Sequence, residues 1–353
     1  MKKRNVKNKA LSFLIIMILV LMTACGNNEP EAAQDAQDNK ISVVTSFYPI
    51  YYMTSAIGGE HVKVTNLIAT GIEPHDWSPK SKDLLTASKA DLLLYHGVGL
   101  ETWIDNFKQG LEQDSNVIVK EVSTGIELID TTAGEHSHGD EETTLDEHEE
   151  HDHEDHNHDA DEEAAEEHDH DHGHSHSHSH GLDPHTWVSP KSALILAENI
   201  KNSLVEVDTE HAEAYEQNYE KLKSDIIELD TKYEEQLAQV ERRTIVVSHQ
   251  SFGYVARDYN LEQISIMGLS PSAEPRAQDI KRIAELVKEQ GVKVIFFEEL
   301  VSDNLAKMLA SEAKVDTNVI YSLEGLTTKQ EQAGENYLTL MEQNLQNIVE
   351  ALQ

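Results

Sequence analysis

The chain has 353 residues, a single cysteine, and 65 acidic against 28 basic side chains, for a formal charge of −37. So large an acidic excess excludes nucleic acid as a partner, which would need basic surface, and suits the attraction of cations. One cysteine excludes an intrachain disulfide, and the length is enough for two ordinary domains of ~100–200 residues each.

Lys2, Lys3, Arg4, Lys7 and Lys9 precede an apolar run over 11–22 that is short for a membrane span. This is the pattern of a secretory signal peptide, assigned to residues 1–24. It closes in Met22-Thr23-Ala24-Cys25-Gly26, small residues before a cysteine, which is the lipoprotein processing pattern, although Met22 stands where leucine is commoner. Lipidation would give the lone Cys25 its reason. Residues 25–40 read as a polar tether, and the mature protein is expected outside the cytoplasm, lipid-anchored to the cell membrane.

From residue 41 onward, short β-branched and apolar runs alternate with helical stretches. Strands are predicted over 41–47, 61–68, 90–95 and 116–122, with helices over 49–57, 78–88 and 101–109 between them. Residues 135–180 then interrupt the order with 19 acids, 14 of the chain's 20 histidines and no lysine or arginine. The segment ends in an alternating run of His168, His170, His172, His174, His176, His178 and His180. Its only apolar side chains are Leu145, Ala160, Ala164 and Ala165, too few to offset the entropy of ordering it, so a disordered loop is expected.

After a helix over 189–205, Tyr215, Tyr219, Leu222, Ile226, Leu229 and Tyr233 recur at three- and four-residue spacing in a long helix over 211–239. Strands over 244–248, 261–267, 292–297 and 318–322 follow, with helices over 276–290, 303–312 and 335–352. The fold class is therefore α/β: two lobes (41–208 and 242–353), each a four-stranded, mostly parallel sheet flanked by helices. One long linking helix within 209–241 joins them.

Two stretches are near-copies: Glu73-Pro74-His75-Asp76-Trp77-Ser78-Pro79-Lys80 and Asp183-Pro184-His185-Thr186-Trp187-Val188-Ser189-Pro190-Lys191. Each presents a histidine behind a proline on a short loop. In each, Ser-Pro is a helix-start signal, with serine as N-cap and proline at the first helical position. Ligands of open parallel sheets bind beyond the carboxyl ends of the strands. His75 follows the second strand, His249 follows 244–248 directly, and Glu324 follows the last strand. With His185 these make three imidazoles and a carboxylate, a donor set that suits tetrahedral zinc. Glu298 and Glu299 rival Glu324 for the carboxylate role. Glu73 and Asp183 are assigned to supporting contacts, and His61, His96 and His211 to structural or surface positions.

Together the signal peptide with Cys25, the twin motifs, the histidine-rich insert, Ser-His-Gln-Ser-Phe-Gly-Tyr around His249 and Leu323-Glu324 resemble the zinc-binding lipoproteins of ABC-type zinc uptake systems. These belong to the rigid-helix class of bacterial solute-binding proteins. The resemblance covers essentially the whole mature chain. It implies one Zn²⁺ in a cleft between the lobes, held by His75, His185, His249 and Glu324; separately, the loop's alternating histidines and interleaved acids are expected to add weaker zinc sites. The resemblance also implies a monomer that delivers its ion to a membrane permease, with no enzymatic activity. Manganese relatives carry a carboxylate where this chain has His249, and imidazole there favours zinc. The insert is unusually long and acidic for the class.

Three other functions use the same residues differently. A zinc hydrolase would need an open coordination position and a general base, and the chain has no His-Glu-x-x-His motif. A manganese-binding relative would need a more oxygen-rich donor set. A surface metal buffer or adhesin would act through the loop itself, where His-x-His alternation lines imidazoles along one face of an extended strand. A peptide spanning 135–180 should bind several zinc ions at pH 7.5 and lose them below about pH 6.5, as its imidazoles protonate. Stoichiometry unchanged by pH in a calorimetric titration would refute that.

Overall fold

The structure, a computed structural model, describes residues 40–111, 115–131, 181–272 and 275–353. The signal peptide, Cys25 and the histidine-rich segment lie outside the described residues. No helix among those described is long and apolar enough to cross a membrane.

The first sheet is built from β1 (Ile41–Thr45), β2 (Val62–Asn66), β3 (Leu92–Tyr95) and β4 (Ile118–Glu121), in the order β2-β1-β3-β4. The second repeats that order as β6-β5-β7-β8, from β5 (Thr244–Val247), β6 (Glu262–Ser265), β7 (Val294–Phe297) and β8 (Asp316–Val319). Every pairing is parallel, with Val43 opposite both Val64 and Leu92 in one sheet and Ile295 opposite Thr317 in the other. Parallel pairing requires a crossover between neighbouring strands, and helices supply it. Those of the first lobe are α1 (Tyr48–Gly58), α2 (Ser81–Ala87), α3 (Ile104–Leu111) and α4 (Pro190–Val207). In both sheets the chain leaves the central strand to one side and returns on the other. The crevice at that switch, beyond the carboxyl ends of the strands, is where such folds bind ligands.

The linking helix α5 (Ala212–Leu237) has 26 residues and spans about 39 Å at 1.5 Å per residue. Its buried face is Tyr215, Tyr219, Leu222, Ile226, Leu229, Tyr233 and Leu237. That stripe belongs to one apolar core shared with Phe47, Ile50 and Trp187 of the first lobe and with Val247, Phe252 and Tyr337 of the second. The second lobe adds α6 (Gly253–Asp258), α7 (Ala277–Glu289), α8 (Asn304–Ala313), α9 (Thr328–Ala333) and α10 (Tyr337–Leu352). Two smaller cores sit on the outer sides of the sheets, around Leu93 and Phe107 and around Ile295 and Leu309.

Two expectations need correction. Ser78-Pro79 does not open a helix: α2 begins at Ser81, and the Asp83 carboxylate accepts the Lys80 N–H at 2.8 Å to close its first turn. An acid three residues into the helix outcompetes the Ser-Pro signal, and the chain stays extended after Trp77 (ψ 144°). In the second copy Pro190 does take the first helical position, yet the Ser189 hydroxyl donates to Asp258 instead of capping the helix. The short helices α6 and α9 have too few turns to show a periodicity, and no helix was expected at either place.

Ile226 and Ile227 separate the two faces of α5, since the first is fully buried and the second 45% exposed. Ile226→Ala should cost about 2–5 kcal/mol of unfolding free energy and Ile227→Ala about 0.5 or less. Denaturant melts of the two variants measure the difference.

Candidate metal centre

Four side chains converge between the lobes: His75, His185, His249 and Glu324 each offer a donor atom, and all these atoms lie within 4.8 Å of one another. Nε2 of His75 is 3.2 Å from Nε2 of His185, which is 3.3 Å from Nε2 of His249. Glu324 Oε1 lies 3.4, 3.5 and 3.8 Å from the Nε2 atoms of His75, His185 and His249. A tetrahedron with arms of ~2.0–2.1 Å, the zinc–imidazole distance, has edges of ~3.3–3.4 Å. The group therefore has the dimensions of one tetrahedral site.

Each donor is aimed by its own local structure. His75 stands in a single 3₁₀ turn, Pro74–Asp76, whose first free amide is capped by Glu73: Oε1 accepts the His75 N–H at 3.1 Å. His185 precedes a similar turn, Thr186–Val188. There Asp183 Oδ1 accepts both the His185 N–H (2.9 Å) and its Nδ1–H (2.8 Å). His249 follows β5, and its Nδ1–H goes to Glu298 Oε1 at 2.8 Å, just past the end of β7. Glu324 follows Leu323, whose left-handed backbone (φ 64°) inside the core swings the carboxylate into the cleft. A non-glycine residue at such φ costs about 1–3 kcal/mol and persists only where its surroundings impose it.

The hydrogen bonds fix the chemistry. With Nδ1–H given to a carboxylate, His185 and His249 each turn an Nε2 lone pair to the other at 3.3 Å, an arrangement that demands a proton or a cation between them. Neither carboxylate oxygen of Glu324 has a hydrogen-bond partner, though the residue is 1% exposed. A buried anion without donors is costly unless a positive charge meets it. The residues present thus fit a divalent cation.

Electrostatics agree. Burial alone would lower His249, but the charge and hydrogen bond of Glu298, backed by Glu324 and Glu73, outweigh it and raise the imidazole to about 9. Burial lowers His185 despite Asp183. Burial also raises Glu73, reinforced by the neighbouring Glu324 charge. Burial would raise Glu324 as well, but the three imidazoles overcome it and hold the carboxyl below its usual range.

The two rival carboxylates have other places. Glu298 backs the His249 ring, and Glu299 is exposed. His61 and His211 stack on each other at 4.0 Å and take no part in the group. His96, which no motif marked, is fully buried and pairs through Nε2 with the Pro184 carbonyl at 2.8 Å, between Asp183 and His185. Burial drops it to about 3, so the ring is neutral and donates that bond. Glu101 caps the loop behind it by accepting the His96 and Gly97 amides. Tyr254 donates to the Asp183 carbonyl at 2.7 Å, and a side chain at Gly253 would meet Asp183 Oδ2 at 2.5 Å. The only advance signal for these supports was their position at strand ends or inside the Ser-Phe-Gly-Tyr run.

Two parallel α/β lobes on one long helix, with a buried three-histidine, one-carboxylate group between them, define a metal-binding protein of the two-lobed solute-binding type. The chain belongs to the ZnuA family, described as "Zinc-uptake complex component A periplasmic", which matches residues 43–351. It is 35% identical over 340 residues to the high-affinity zinc uptake system protein ZnuA of Bacillus subtilis, covering 96% of each chain. It is 33% identical to the zinc-binding lipoprotein AdcA of Streptococcus pneumoniae, over 96% of this chain but 60% of that longer protein. The crystal structure of the Zn(II)-bound ZnuA-like domain of that AdcA superposes with a TM-score of 0.69 at 30% identity, covering 89% of this chain and 99% of that one. Proteins of this family are solute-binding proteins and not enzymes, which removes the hydrolase alternative.

Because His249 is raised above the ordinary ~6.5, its protonation stabilises metal-stripped protein fully below about pH 6.5, and the contribution is lost as pH rises through about 9. An NMR titration of stripped protein should place His249 near pH 9. Glu298→Gln should lower that midpoint, leaving only the charges of Glu324 and Glu73 to oppose burial. An unchanged midpoint in that variant would refute the role given to Glu298.

Proposed function

We propose that this chain is the extracytoplasmic zinc-capturing component of an ABC uptake system. It binds one Zn²⁺ in the cleft through Nε2 of His75, His185 and His249 and a carboxylate oxygen of Glu324. It then delivers the ion, as a monomer, to a membrane permease. The observation that carries this reading is the set of donor spacings, 3.2–3.5 Å on four edges and 3.8 Å on a fifth, around a carboxylate with no other partner. The Zn(II)-bound relative and the family description support zinc as the ion. Three imidazoles to one carboxylate also favour zinc over the harder manganese.

A closed four-ligand site holds an ion without catalysing anything, because no position is left for a substrate or a reactive water. Two ligands come from the first lobe and two from the second, so the ion is gripped by both. Asp183 and Glu298 hold two imidazole rings by Nδ1 with Nε2 aimed at the place of the ion, which lowers the cost of binding, and the proton on His249 Nε2 leaves as the ion enters. The lipoprotein signal at Cys25, shared in name with the pneumococcal relative, supports tethering at the outer face of the membrane, where a permease would receive the ion.

The test is a competitive titration against a zinc chelator, with the chain and with a variant lacking 135–180. Both should retain one tight zinc, preferred over manganese. His249→Ala should weaken it by more than about 100-fold, beyond the 10–100-fold typical of losing an outer partner. Tight binding that survives His249→Ala and disappears with 135–180 would move the site to the histidine-rich segment.

A further inference from the structure

The twin motifs are chemically unequal, and the inequality is one methylene. Asp183 and Glu73 stand at the same place, two residues before a histidine and next to a proline. Asp183 ties its histidine twice, at the backbone N–H and at Nδ1 of the ring. Glu73, one carbon longer, ties only the backbone N–H of His75. Its carboxyl lies buried beside the carboxylate of Glu324 and gives nothing to the His75 ring. Among the described residues nothing pairs with His75 Nδ1. The His75 side chain is also the only one of the four donors with solvent access, 12% against 0% for the other three.

The loop that carries His75 is otherwise well fastened. The Gly71 amide donates to the Leu326 carbonyl at 2.8 Å, and the Thr70 hydroxyl to Glu331 at 3.3 Å, both across to the second lobe. Trp77 packs edge-on against Trp103 at 5.2 Å. The backbone at His75 is therefore held and its Nε2 faces His185 and Glu324, while among the described residues the Nδ1 edge of the ring has no anchor. An untied imidazole samples two tautomers, and only one leaves a lone pair on Nε2. Affinity is reduced by whatever fraction of time the ring spends in the other tautomer or turned away.

Resting on the reading that His75 ligates zinc, we propose that Glu73 sets the rate of zinc exchange: by holding the backbone of His75 but not its ring, it makes His75 the ligand through which the ion enters and leaves. His185, His249 and Glu324 form the preassembled three-donor half of the site, and His75 closes it last and opens it first. Glu73 is a positioning residue, and the property it sets is a rate.

The substitution that tests this is Glu73→Asp, which restores the side-chain length of the second motif. Zinc release from the full chain into excess chelator, followed by stopped flow, should slow about tenfold, the lower end of the effect of tying a ligating histidine. Nitrogen-15 spectra of the His75 ring should show mixed tautomers in the wild type and a single Nδ1-protonated tautomer in Glu73→Asp. Glu73→Gln keeps the length and the backbone bond and removes the ionisable carboxyl, so it should release zinc within about twofold of wild type. Slowing as large in Glu73→Gln as in Glu73→Asp would overturn the proposal in favour of an effect of the ionisable group beside Glu324. A wild-type His75 already in one Nδ1-protonated tautomer, with an unchanged release rate in Glu73→Asp, would overturn it as well. His75→Ala binding zinc as tightly as wild type would instead remove the underlying reading, and the proposal with it.

Discussion

The structure depends on how one buried segment, residues 183–189, satisfies its main-chain carbonyls. A carbonyl away from water must find a donor or lose about 1–3 kcal/mol. Here the donors come from both lobes. The Asp183 carbonyl takes the Tyr254 hydroxyl, the Pro184 carbonyl takes His96, and the Trp187 carbonyl takes the Tyr337 hydroxyl. The Trp187 indole returns a bond to the Ser322 carbonyl at 2.8 Å, two residues before Glu324. The loop that holds His185 is thus the place where the two lobes are pinned together. The geometry of the donor group depends on that pinning, because the segment itself carries His185 and Ser322 stands two residues before Glu324.

A second constraint is charge. Asp183, Glu298, Glu73 and Glu324 crowd one small volume, and each has at least one buried oxygen without a partner. An apolar core of the same shape would be the cheaper way to fill a cleft. Carboxylates kept there, with imidazoles between them, store an unmet demand for positive charge. In protein without metal a proton on His249 meets part of it, and a divalent ion meets more.

Much of this was legible in the chain, and the reasons for the rest are physical. Strands such as Leu92–Tyr95 announce themselves by apolar content, and α5 by its spacing, because both depend on neighbours a few residues away. His75, His249 and Glu324 stood out because a parallel sheet puts strand ends on one edge, and His185 as the counterpart of His75 in the twin motif; the fold does bring the four together. What could not be read was anything set by distant partners. Glu298 and Glu299 are adjacent in sequence, and only the packing of β7 sends the first to His249 and the second to solvent. His96 carries no motif, and its partner lies 88 residues away. Ser78-Pro79 misled because the two copies differ at a place their shared letters conceal: Asp83 offers the first helix a cap that competes with them.

The single apolar core along α5 has a consequence for how the chain is made. Phe47 near the start and Trp187 at mid-chain pack into the same core as Tyr337 and Leu340 near the end, and the Tyr337 hydroxyl closes on the Trp187 carbonyl. Neither lobe owns a complete interior. A chain emerging from its amino end first can pair β1 with β2 and β3 at once, but it cannot seal that lobe until the last helix arrives. α1 and α4 can cover part of the α5 stripe early, but Tyr233, whose hydroxyl closes on the Met341 carbonyl, must wait for roughly the final third of the polypeptide, which makes the interval before α10 docks a vulnerable one.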